Sequence, residues 1–193
     1  MKVLFASKNK GKIREVKEIL GEAGIEVLSL DDFEDVPDVI EDKETFIDNA
    51  KKKAKEIYDI FHVPVIADDS GLAVDQLNGR PGVYSARYAG ENAADKENNA
   101  KLIFELKGFP SPHKARFISI AVFYNGDAYI SAAGELIGEI ISKARGDNGF
   151  GYDPLFIPEG YKNTLAELSL EEKNRISHRA KAFNKLKDLI ERG

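Results

Sequence analysis

Short apolar runs alternate with amphipathic stretches along the chain, and the alternation predicts an α/β fold. Residues 2–6 (KVLFA) are an apolar run that reads as a buried strand. A polar loop follows at 7–12. Ile13, Val16, Ile19, Leu20 and Ala23 then recur at helical spacing, and Gly24 ends the run. Residues 25–30 predict a second strand, which completes a β–loop–α–β unit. Residues 31–44 are acidic and irregular. A helix is expected over 46–61, capped by Thr45, with Phe46, Ala50, Ala54, Ile57 and Phe61 on one face.

Residues 63–67 (VPVIA) predict a strand that stops at Asp68-Asp69-Ser70-Gly71, with 72–77 extended beyond it. Residues 78–88 are punctuated by Gly and Pro and read as a loop. A helix is expected over 93–106, with Ala100, Ile103 and Phe104 turned inward. Residues 115–124 run into Asn125-Gly126, the strongest short-range hairpin signal, and 127–141 continue extended. A Gly-rich loop at 145–154 precedes a short strand at 155–157. The last helix carries Ala180, Phe183, Leu186 and Ile190 on one face. No repeat, low-complexity tract or linker interrupts the chain. It reads as one domain over residues 1–193 with a mixed sheet, arranged in two lobes.

Composition narrows the chemistry. The 193 residues include no cysteine, no tryptophan and three histidines. This excludes disulfides, thiolate nucleophiles, zinc ribbons and iron–sulfur clusters. His62, His113 and His178 are too scattered for a zinc motif, so a metal would take carboxylate oxygens, which favours magnesium or manganese. With 42% hydrophobic residues the chain can bury a sizeable core. Its 33 acidic residues against 28 basic ones give a net charge of −5, a poor balance for binding nucleic acid. No segment has the roughly 20 apolar residues of a membrane span, and the N-terminal segment lacks a signal-peptide layout. A cytoplasmic location is the expectation.

Six segments hold candidate chemistry. Ser7, Lys8, Asn9, Lys10, Gly11 and Lys12 lie between a strand and a helix, where free N–H groups and the helix dipole suit a phosphate. They lack the first glycine and the GK[ST] ending of a P-loop. Asp68 and Asp69 lie at a strand end, where α/β ligands bind, and a strand turns adjacent side chains to opposite sides. Asp38, Glu41, Asp42 and Glu44 could complete a magnesium site. Asn49 and Lys53 share a helix face. Phe150, Gly151, Tyr152 and Asp153 combine close backbone approach, stacking rings and a carboxylate for a base edge. Lys173, His178 and Arg179 could meet at one ligand if Ser177 caps the last helix; on one continuous helix Lys173 and His178 would lie about 140° apart. Each segment taken alone also fits a solvated turn or a polar surface.

Together, and in this order, SKNKGK (7–12), TFIDNAKKKA (45–54), ADDSGL (67–72), GRPGVYSARYAG (79–90), GFGYDPLF (149–156) and EKNRISHRAKA (172–182) resemble the inosine triphosphate pyrophosphatase family. The resemblance implies hydrolysis of inosine, deoxyinosine and xanthosine triphosphates (ITP, dITP, XTP) to the monophosphate and pyrophosphate, which cleanses the nucleotide pool. It implies a long mixed sheet with helices on its faces, two lobes around a central nucleotide-binding cleft, and a homodimer. Carried over residue by residue, it assigns the triphosphate to Ser7–Lys12 and Lys53, and the general base to Asp69. Magnesium, with manganese a substitute, falls to Glu41, Asp68 and Asp69. Ser70 contacts the substrate, Phe150 to Asp153 surround the base, and Lys173, His178 and Arg179 read its edge. Ser7 stands where many members have threonine. The stretch from Glu41 to Thr45 is one residue shorter than in many bacterial relatives, which leaves Asp38 and Glu44 open beside Glu41.

The residues suit that chemistry. Phosphoanhydride hydrolysis needs charge neutralisation, a placed water and a poised base. Lys173, His178 and Arg179 are donors, which a 6-oxo purine satisfies and a 6-amino purine does not. A non-catalytic purine nucleotide-binding module is the alternative, and it would not need the paired carboxylates.

Overall fold

The computed structural model describes residues 1–22, 24–33 and 36–192. Ala23, which the periodicity adds to the first helix, residues 34–35 of the acidic stretch, and residue 193 lie outside the described residues. Among the described residues there are six strands: β1 (Lys2–Phe5), β2 (Glu26–Ser29), β3 (Val65–Val74), β4 (His113–Tyr124), β5 (Tyr129–Ile140) and β6 (Phe156–Pro158). The α-helices are α1 (Lys10–Gly21), α2 (Phe46–Phe61), α3 (Asp95–Leu106), α4 (Leu170–Ile176) and α5 (His178–Arg192). The strands form one mixed sheet in the order β2-β1-β3-β4-β5-β6. β1 pairs parallel with β2 and β3, with Val3 opposite Val27 and Leu4 opposite Val65. β5 and β6 pair antiparallel, with Glu139 opposite Ile157. This is the mixed α/β architecture that the pattern predicts.

The chain divides into two compact units. Unit 1 comprises residues 1–69, 119–134 and 178–193; unit 2 comprises 70–118 and 135–177. The divisions fall within β3, β4 and β5 and between α4 and α5.

In unit 1 the strand β1 is buried on both faces. Strand alternation sends Val3 and Phe5 into a core with Val16, Ile19 and Leu20 of α1 and Phe183 and Leu186 of α5. It sends Leu4 and Ala6 into a second core with Ala50, Ala54 and Ile57 of α2. α1 and α5 therefore cover one face and α2 the other. Thr45 caps α2, its hydroxyl accepting the Asp48 N–H at 3.2 Å. Gly134 of β5 serves the packing of α5: a Cβ there would lie 2.1 Å from the His178 carbonyl oxygen and 2.5 Å from the Ala182 nitrogen. Only a residue without a side chain lets the helix approach so closely.

Unit 2 has its own core of Leu72, Val74, Leu102, Leu106, Phe117, Leu136, Phe156 and Leu165, in which the Phe117 and Phe156 rings lie 4.7 Å apart.

Two expectations are corrected. β3 does not stop at Ala67: it runs unbroken through Asp68-Asp69-Ser70-Gly71, because partners satisfy both carboxylates inside the protein and no turn is needed to bring them to water. The inward face of α3 is Asn98, Leu102 and Leu106, not Ala100, Ile103 and Phe104; Ile103 is partly buried and Phe104 is 71% exposed. Asn98 can enter the core because its amide donates to the Ala86 carbonyl (3.1 Å) and accepts the Ala89 N–H (2.7 Å). At the other end of the chain, Ser177 takes an extended backbone (ψ 152°) that separates α4 from α5, as its reading as a cap requires.

Candidate active site

The charged centre of unit 1 grows from α1, α2, β3 and α5. Asp68 is fully buried and Asp69 is 3% exposed. Being consecutive in a strand, they face opposite sides. Asp68 takes Lys12 Nζ at 3.1 Å on Oδ1 and Arg179 Nε at 3.2 Å on Oδ2. Arg179, 1% exposed, reaches on through Nη1 to Glu15 of α1, itself 1% exposed, at 2.5 Å. Burial works against the charge of Asp68, but Lys12, Arg179 and Lys53 outweigh it and hold the carboxyl well below the usual carboxylate range. Lys12 is pulled the other way: burial lowers its pKa, and Asp68 offsets only part of the drop.

Asp69 has a different environment. Its Oδ2 accepts from Asn49 Nδ2 at 2.9 Å, while Asn49 Oδ1 accepts the Lys43 N–H at 2.9 Å. Asn49 thereby ties the carboxylate to the segment before α2. Burial raises the Asp69 pKa, and although Lys53 opposes, Glu41 adds to the rise. Lys53, one turn beyond Asn49 on α2, is buried and donates both to Glu41 and to the Asp68 carbonyl. Burial alone would lower the pKa of this ammonium; Glu41 and Asp68 outweigh it and raise the pKa.

The 7–12 loop has Asn9 as the cap of α1, with Oδ1 accepting the Lys12 N–H at 3.0 Å, and Ser7 Oγ accepts the Asn9 N–H at 3.2 Å. Lys8 turns to Asp38 (2.7 Å) and the Val36 carbonyl (2.9 Å), Lys10 is exposed and opens the helix, and Gly11 follows it in the first turn. Of the three acidic alternatives, Glu41 joins Lys53, whereas Asp38 holds Lys8 and Glu44 is exposed.

Unit 2 holds the aromatic loop. Phe150 N–H donates to Asp153 Oδ2 at 2.9 Å, and Asp153 N–H returns to the Phe150 carbonyl at 3.2 Å. Lys173 Nζ also meets Asp153 Oδ2, at 2.5 Å, and lies 4.7 Å from the Phe150 ring centroid. Tyr152 donates its hydroxyl to the Ser85 carbonyl at 2.8 Å, and burial pushes its pKa up. Ser85 Oγ in turn accepts the Leu72 N–H at 2.9 Å. Ser70 follows Asp69 in β3 and is half-buried. Lys173 is thus gathered with Phe150 and Asp153, whereas Arg179 is gathered with Glu15 and Asp68; His178, buried, opens α5 beside Arg179.

The donors present fit a hard divalent ion in part. Among the described residues no three His, Asp and Glu side chains form a ready metal cage. Asp68 is engaged by two cations. Glu41 and Asp69 influence each other's protonation, and a pair of carboxylates completed by substrate phosphates is how magnesium is commonly held.

The Ham1 family model matches residues 3–189. The chain belongs to the Ham1 family. This accords with the motifs, for curated relatives of this chain are named dITP/XTP pyrophosphatases. The dITP/XTP pyrophosphatase of Geobacter sulfurreducens is 49% identical over 189 residues, covering 97% of this chain and 95% of that protein. Among solved structures, a HAM1 protein from Coxiella burnetii superposes with a TM-score of 0.89 at 38% identity and covers all of both chains. The Staphylococcus aureus Ham1 protein gives 0.86 at 39% identity, covering 99% of this chain and 98% of that one. Within this Ham1 chain, sequence reasoning missed Glu15. An acidic residue on an amphipathic helix looks solvated, and its partner Arg179 lies 164 residues away. A glutamate flanked by the buried Ile13, Val16 and Ile19 was the available signal.

Proposed function

We propose that this protein hydrolyses non-standard purine nucleoside triphosphates, ITP, dITP and XTP, to the monophosphate and pyrophosphate. The observation that carries the reading is the buried Asp69–Asn49 pair set among Lys12, Lys53 and Glu41, in a chain so similar to dITP/XTP pyrophosphatases. Asp69 takes the proton of the attacking water. The water oxygen bonds to the α-phosphorus, the bond from that phosphorus to the α–β bridging oxygen breaks, and pyrophosphate leaves with the electron pair. A base whose pKa is raised by burial is better matched to neutral pH than an ordinary carboxylate. Asn49 fixes the orientation of Asp69. Lys12, Lys53 and the 7–12 backbone balance phosphate charge. Glu41 and Asp69 would hold magnesium, which would supply further charge neutralisation when bound. Phe150 stacks on the base. Lys173 and Asp153 set the hydrogen-bonding pattern that a 6-oxo purine meets, and a donor left unpaired by adenine costs about 1–3 kcal/mol.

We also propose that the protein works as a homodimer in the cytoplasm. Exposed Tyr84 and Phe104 on unit 2 offer apolar surface for a second copy. Among the described residues no helix is long and apolar enough to cross a membrane.

Purified protein with magnesium should release pyrophosphate, not orthophosphate, from ITP, dITP and XTP in preference to ATP and GTP, and should stop when the metal is chelated. Orthophosphate as first product, or a preference for ATP, overturns the reading. Nucleotide binding without turnover would instead support the non-catalytic module.

A further inference from the structure

We infer that Asp95 and Asn99 are positioning residues for the purine end of the substrate, acting by holding Gly151 through its N–H and its carbonyl. This rests on the base-binding role proposed above for Phe150 and Asp153.

Asp95 and Asn99 are four residues apart on α3 and so share a face. Asp95 Oδ2 accepts the Gly151 N–H at 2.7 Å, and Asn99 Nδ2 donates to the Gly151 carbonyl at 3.0 Å. Gly151 has φ +61° and no atom within 4 Å of where a Cβ would stand, so local crowding does little to fix it. Its neighbours depend on it, because the turn from Phe150 to Asp153 closes on itself through the two Phe150–Asp153 hydrogen bonds. Clamping Gly151 therefore fixes the Phe150 ring and the Asp153 carboxylate together. The clamp stands on firm ground: Leu102 and Leu106 bury the far part of α3, and Asn98 ties it to the backbone at Ala86 and Ala89. Neither Asp95 nor Asn99 needs to touch the substrate to act. Their effect falls on how well the base is received, not on the phosphate chemistry of unit 1.

The test compares Asp95→Ala, Asp95→Asn, Asn99→Ala and the double alanine variant with wild type, reading pyrophosphate release from XTP and dITP. The alanine variants should raise KM about fivefold to tenfold, the scale of one lost hydrogen bond to a charged or well-placed group, with kcat held within about twofold. Asp95→Asn keeps an acceptor oxygen for the Gly151 N–H and should recover most of the loss. The double variant should cost less than the product of the single ones, since both act on one residue. Amide exchange over residues 149–153, measured without substrate, should accelerate in Asp95→Ala. A fall in kcat alone, an asparagine variant as impaired as alanine, or unchanged amide exchange overturns the inference. If wild type releases no pyrophosphate, the hydrolysis reading fails by itself, and the exchange measurement still decides whether the clamp exists.

Discussion

Adjacent residues of a strand face opposite ways, so Asp68 meets Lys12 and Arg179 while Asp69 meets Asn49. One carboxylate is tied down by two cations and kept ionised; the other is left basic by burial and by Glu41. The two are not interchangeable. Replacing Asp69 with Asn removes the proton acceptor but keeps the shape and the contact with Asn49. We expect kcat to fall by about 10²–10⁴, the usual worth of a general base, while the variant still binds nucleotide by calorimetry and melts near the wild-type temperature. Turnover retained in that variant would remove Asp69 as the base, whatever the remaining cluster does.

At the scale of elements, α5 carries Arg179 to Asp68, and Gly134 decides how closely that helix packs. Gly134→Ala must push its first turn outward. We expect a loss of about 1–3 kcal/mol, typical of overpacking, seen as a lower Tm, together with reduced turnover as Arg179 leaves Asp68. An unchanged Tm would show that the helix accommodates the methyl group. The elements also show what can be read from the chain alone. α2 was legible to the residue, because Thr45 and an uninterrupted stripe from Phe46 to Phe61 agree. The face of α3 was not, because hydropathy puts Phe104 inside and Asn98 outside, and the fold does the reverse once the Asn98 amide finds backbone partners. β3 looked like a strand and a turn for the same reason: four polar or flexible residues read as an exit to water when their partners lie far away in sequence. The motif residues of the candidate site were legible by order and spacing. Their supporting residues Glu15, Asp95 and Asn99 were not, since each acts on a distant segment.

For the molecule as a whole, the buried charges make stability depend on pH. Asp68 has a folded pKa below its unfolded value of about 3.9, so its stabilisation is present above that pH and is lost as pH falls through the folded value. Asp69, raised, has the opposite sign and favours the folded state below its unfolded pKa. With Asp68 dominant, the urea midpoint should decline from about pH 5 downward, and more gently in Asp68→Asn than in wild type. Equal slopes would mean that other carboxylates govern acid unfolding.

Unit 1 is built from the first and last stretches of the chain, and this has a consequence in time. On the ribosome, Glu15 and Asp68 are made early and Arg179 late, 164 positions after Glu15. At about 5–20 residues per second, two carboxylates destined for burial wait on the order of ten seconds for their shared counter-charge. Burying them sooner would leave Glu15 without Arg179 and Asp68 with Lys12 in place of two cations, which is unfavourable. The charged centre therefore reaches its final pairing only once α5 has been made.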